Sequence, residues 1–159
     1  MKQKNIATWL KVVTIAVALL GIAFFGSATV YAYFYKPDYG DSVPIYLRQN
    51  IIFIWVTALL CFSILFFFWR IVCEIANDNS FSMENVKNFK CMGVCGVLII
   101  LEYVIRIIVW LVKGDIVFIT LSYTLLKIIV FIIFVILCIA MSKLVKNAYD
   151  IKQENELTI

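Results

Sequence analysis

Four apolar runs, each of 22 residues or more and without alternation, constrain this chain more than any other feature. They are about Val12–Tyr35, Ile51–Cys73, Cys91–Val112 and Ile116–Ser142. A hydrocarbon layer about 30 Å thick asks for roughly 20 residues of helix at 1.5 Å rise each. In lipid, a helix satisfies its own backbone within one segment and an open strand does not. Composition agrees, because a soluble domain of 159 residues could not hide 64% hydrophobic residues in one core with only 15% charged residues outside it. The expected fold is an all-α integral membrane protein, a four-transmembrane-helix antiparallel bundle with both termini cytoplasmic. Residues 1–159 then make a single membrane domain. Its helices run at about 12–35, 51–73, 83–112 and 116–146, with a cytoplasmic connection at 74–90 and a cytoplasmic tail at 143–159.

The first run has a second reading. "MKQK" before an apolar stretch resembles a secretory signal, with Gly26-Ser27-Ala28 as the cleavage site. Such signals have apolar regions of roughly 7–15 residues, and this run continues through "TVYAYFY". Tyr31, Tyr33 and Tyr35 read as an interfacial aromatic belt, so an uncleaved span is expected.

Four spans put both termini on one side. That side holds nine cations: Lys2, Lys4, Lys11, Arg70, Lys87, Lys90, Lys143, Lys146 and Lys152. The opposite side holds three: Lys36, Arg48 and Lys113. The excess predicts cytoplasmic termini. The net charge of +4 therefore reports topology, and direct nucleic-acid binding is not expected.

Five cysteines and no histidine limit the chemistry. Cys73, Cys91, Cys95 and Cys138 fall near cytoplasmic helix ends and Cys61 at mid-span. An odd number in a reducing compartment argues against a disulfide framework. The four-residue step from Cys91 to Cys95 is not that of a zinc knuckle. Small packing residues at helix contacts are one reading, and a thiol sensor is the other. No His serves as a proton shuttle, and no Ser has a base. No Gly-rich phosphate loop or metal-binding helix motif occurs, so neither an enzyme nor a cofactor is expected.

The connection "EIANDNSFSMENVKNFK" carries a helix start. Ser82 caps it, Glu84 lies in the first turn where the helix dipole favours an anion, and Phe81 and Val86 have the spacing of a hydrophobic staple. Helix three is expected to begin near Met83, with its first turns on the membrane surface. On the other side, "KPDYGDSVP" reads as a loop, and "KGD" makes helices three and four antiparallel neighbours.

Three charges fall inside the hydrocarbon. Glu102 lies about 15 Å and Lys127 about 16 Å from the outer ends of neighbouring antiparallel helices. Equal depth predicts a Glu102–Lys127 pair, with Arg106 one turn from Glu102 either joining it or snorkelling outward. Thr120, Tyr123 and Thr124 precede Lys127 at helical spacing. Glu102, Arg106, Lys127, Thr120, Tyr123 and Thr124 are thus expected to line a polar cleft that opens outward. Intramembrane ionisable groups default to function, which makes a site for an ion or small ligand one reading. A charge pair that only fixes which helix face turns inward is the other.

"NSFSMENVKNFK" (Asn79–Lys90) and "ENELTI" (Glu154–Ile159) resemble the two signature stretches of a bacterial four-helix membrane-protein family. It is catalogued as domain-of-unknown-function family twenty-nine seventy-five. The resemblance covers essentially the whole chain. Its specific part is Phe81 with Glu84 and Asn85, and the final Leu157-Thr158-Ile159. Ser80 departs from the proline frequent in the family. The resemblance implies a partner, because genes of the family commonly sit beside one for a small helix-turn-helix regulator. Phe81, Glu84, Asn85, Glu154, Asn155, Glu156, Leu157, Thr158 and Ile159 are then the docking candidates. The leading expectation is a non-enzymatic membrane regulator that senses a ligand or membrane state through the outer cleft. The alternatives are immunity or stress protection against external peptides, and minor small-molecule transport. The bilayer is a further partner, and the small pair Ala28 and Ala32 allows a homo-oligomer.

Overall fold

The computed structural model describes residues 3–35, 43–114 and 118–157, and they form helices joined by short turns. In chain order these are α1 (Gln3–Phe34), α2 (Val43–Gln49), α3 (Ile51–Ala76), α4 (Met83–Lys113) and α5 (Phe118–Leu157). α1, α3, α4 and α5 are long and apolar enough to cross a membrane, and the described residues contain no strand. The helices exceed the expected limits at the polar ends of α1 and α5. Once a helix is nucleated, each further residue adds a hydrogen bond, and Lys, Gln and Glu propagate it well.

α4 is the centre of the bundle. Of its apolar window 39% is buried, against 6% in α1, 11% in α3 and 17% in α5. The buried residues Asn85, Asn88, Met92, Cys95, Ile99, Glu102, Arg106 and Trp110 recur every three or four positions, one continuous face along the helix. α3 packs on one flank of α4 and α5 on the other, while α1 packs on α3. Among the described residues α1 does not touch α5, so the bundle is open on that side.

With lipid as apolar as leucine, helices associate through close approach. α1 offers a seam of small residues, with Ala7, Thr14 and Ala32 buried and Gly21 and Ala28 half-buried. A Cβ at Gly21 would stand 3.3 Å from the Phe62 ring on α3. The Ala28/Ala32 pair therefore packs within the chain. Between α4 and α5 the approach is close at Gly96, where a Cβ would lie 2.7 Å from Val135 Cγ2. Near one end of these helices Ile71, Met92 and Cys138 form a buried cluster, flanked by Phe67, Phe89 and Phe134. All five cysteines are free, and Cys138 acts there as a small apolar group.

The turns follow local chemistry. Asp78 takes a left-handed φ of 57°, which aspartate tolerates, and Asn79 Nδ2 donates to Glu74 Oε2 at 2.7 Å. Ser82 caps α4, its Oγ accepting from the Asn85 N–H at 3.2 Å. Gly114 closes α4 at φ 72°, where only glycine is unstrained.

Two local expectations change. The loop between the first two spans contains α2, whose first turn holds Pro44, a position where the missing N–H costs nothing. Arg48 of α2 donates to the Ala32 carbonyl at 3.1 Å, capping the end of α1. The first turns of α4 are also continuous with the rest of the helix and pack against the bundle. Val86 is buried and Ser142 Oγ of α5 donates to its carbonyl, so the apolar edge through Val86 and Phe89 is used inside the bundle.

Replacing Gly96 by Ala forces a methyl onto Val135, whose branched side chain has little rotamer freedom. We expect a loss of about 1–3 kcal/mol in detergent unfolding, while Gly26→Ala, with open space around it, changes little.

Candidate functional site

Two of the three charges within the apolar spans, Glu102 and Arg106, lie on the buried face of α4. Glu102 and Arg106 are 6% and 7% exposed. They are four residues apart on one helix, and the Arg106 guanidinium donates to Glu102 Oε1 in an ion pair. The other carboxylate oxygen, Oε2, accepts from the Thr57 hydroxyl of α3 at 3.0 Å. Thr57 has a further contact 2.9 Å from the Phe53 carbonyl of its own helix. Two rings flank the guanidinium, Phe53 at 5.1 Å and Tyr103 at 5.2 Å between centroid and Cζ. Cation–π contacts of this kind gain strength where water is absent. Arg106 Nε is buried without a partner.

α2 stands over the same end. Tyr46 packs against Trp110 of α4 at 6.1 Å. Burial pushes the Tyr46 hydroxyl above its ordinary pKa, and the Arg106 guanidinium opposes the shift.

The expected Glu102–Lys127 pair does not form. Lys127 Nζ instead lies 5.7 Å over the Tyr103 ring. Depth is right and azimuth is not. Successive residues on a helix point about 100° apart. That rotation gives Glu102 to α3 and its neighbour Tyr103 to α5, where it also meets Phe131 at 6.3 Å. The α5 stripe divides in the same way. Tyr123 is exposed toward lipid, Thr120 is half-buried, and Thr124 is buried with its hydroxyl spent on the Thr120 carbonyl. Glu102 and Arg106 face α3, so they do not line a space opening between α4 and α5. Sequence reasoning missed Thr57 and Phe53. The available signal was that Thr57 is one of two hydroxyls, with Ser63, in a largely apolar span, six residues from its start.

The docking candidates also separate. Asn85 is 1% exposed and its Nδ2 donates to the Ser80 carbonyl at 2.9 Å, so it holds the connection and offers no surface to a partner. Asn85 Oδ1 and Asn88 Nδ2 are buried without partners. Glu84 pairs with Arg70, tying α4 to α3. Phe81 is 52% exposed, and Glu154 and Asn155 lie exposed in the last turns of α5. Nothing is described of the side chains of Glu156 and Leu157, and Thr158 and Ile159 lie outside the described residues.

Breaking the pair from one side strands a buried charge. Arg106→Met alone is expected to cost about 3–5 kcal/mol in detergent unfolding, and Arg106→Met with Glu102→Gln to recover most of that loss. Lys127→Met should cost less than about 1 kcal/mol, because Lys127 carries no share of the Glu102 pairing.

A family model described as "Protein of unknown function (DUF2975)" matches residues 1–159, the whole chain. No curated protein and no solved structure matches.

Proposed function

The chain belongs to that family of unknown function, and we propose that it is a non-enzymatic regulatory protein of the bacterial inner membrane. In this reading it tethers a cytoplasmic helix-turn-helix regulator, the partner class the family resemblance implies. The excess of Lys and Arg beside the termini supports a cytoplasmic placement of that end.

The observation that carries the reading is the far end of α5. This helix has 40 residues and a length of about 60 Å, twice the hydrocarbon thickness. Past Lys143 it continues through Leu157, about 20 Å of helix beyond the headgroup level. On that part Leu144, Ala148 and Ile151 fall at i, i+4 and i+7, and Ile151 is 59% exposed. An apolar edge on a polar helix outside hydrocarbon is the form in which helices enter partner grooves. Phe81 adds an exposed ring on the connection at the same end of the bundle. The Glu102–Arg106–Thr57 cluster, enclosed and self-neutralised, fits a device that fixes the rotation of α4, and the proposal assigns no ligand to it.

Membrane-fractionation of cells containing the full chain and the regulator encoded beside it tests this. The regulator should sediment with the membranes, and Ile151→Glu with Phe81→Ala should release it by about tenfold or more, a loss of two apolar anchors. A regulator that stays soluble beside the unaltered chain would end the proposal.

A further inference from the structure

On the lipid-facing side of α4 and α5, at the end that holds the termini, a groove of about 460 Å³ runs between the two helices. Val94 and Val97 form one wall, Val135 and Ile139 the other, and Gly93 deepens it by presenting no side chain. Lys90 and Lys143 close its mouth, one from each helix. From Lys90 to Val97 along α4, and from Lys143 to Val135 along α5, the groove extends about 10–12 Å into the span. It therefore begins at the headgroup level and follows the direction of an acyl chain.

We propose that this groove is a binding site for one anionic phospholipid, its acyl chain between α4 and α5 and its phosphate held by Lys90 and Lys143. Charge complementarity selects the occupant. Both lysines are exposed, and Lys87 and Lys146, also exposed, follow one turn further out on the same two helices. The nearest acid toward the start of α4, Glu84, is engaged by Arg70 of α3 on the other flank. The Ser142 hydroxyl at the groove is spent on the Val86 carbonyl. The mouth is thus cationic with no carboxylate assigned to it, while the interior is apolar. Basic sites between spans at the headgroup level take anionic lipid in this way. A zwitterionic lipid fills the groove equally well with its chain and gains nothing net at the lysines.

The test is native mass spectrometry of the full detergent-solubilised chain with phosphatidylglycerol and phosphatidylcholine of identical acyl chains. One phosphatidylglycerol per chain should be retained, preferred about 30-fold, a factor of about five for each lysine. Lys90→Gln with Lys143→Gln should bring the preference close to one, whereas Lys87→Gln with Lys146→Gln, the same loss of charge, should leave most of it. Val97→Phe and Val94→Phe, both at exposed positions, should expel the retained lipid with all four lysines in place. Equal loss in the two lysine pairs would overturn the site in favour of diffuse surface charge. Retention in both Phe variants would overturn the groove. Displacement by soluble glycerophosphate at matched concentration would reduce the site to an ion site. Phe variants that split a dimer while keeping their lipid would give the groove to a second copy of the chain.

Discussion

A carboxylate in hydrocarbon needs a neutralising partner, and Glu102 finds one a single turn away on its own helix. An unpaired charge at mid-membrane costs at least about 2.5–3.5 kcal/mol, so the partner's location decides which helix depends on which. Because Arg106 lies on α4, that helix carries its compensation with it before any tertiary contact forms. Thr57 then gives the carboxylate a second partner from α3. The pair and its threonine orient α4 toward α3 along the face that also holds Ile99 and Trp110. Other orientations would take the carboxylate away from Thr57.

With α4 so oriented, the remaining helices are placed by shape. α5 approaches where Gly96 gives it room, and α1 lies on α3 along a seam of small residues. Neither contact needs charge. Lys127 illustrates the difference, because its ammonium rests over Tyr103 while the carboxylate at the same depth is already satisfied from the other side. The polar end of α4 is held by short-range chemistry, with Ser82 capping, Asn85 fastening the connection and Glu84 reaching Arg70. Of the three residues on which the resemblance rests in this stretch, Glu84 and Asn85 thus have structural work, and Phe81 is largely exposed.

Asn85 and Asn88 show where sequence reasoning loses sight of a site. Both look like solvated residues of a polar connection, yet both are buried. They belong to the same three-to-four-residue repeat that carries Met92, Cys95, Ile99, Glu102 and Arg106, and following that repeat back past the apolar boundary would have found them. Hydropathy marks the edge of the membrane, and burial against neighbouring helices does not end there.

The sequence by itself determined that four helices are long and apolar enough to span a bilayer, where α4 starts and stops, and that Glu102, Arg106 and Lys127 lie within those apolar stretches. Those properties depend on local hydrophobicity, capping chemistry and rise per residue, all of which are written in consecutive positions. Only the tertiary structure decided that Glu102 turns to α3, that Asn85 points inward, and that, among the described residues, α1 stays apart from α5. Those outcomes depend on the rotation of each helix about its axis, and that angle is set by which side chains interlock across a contact.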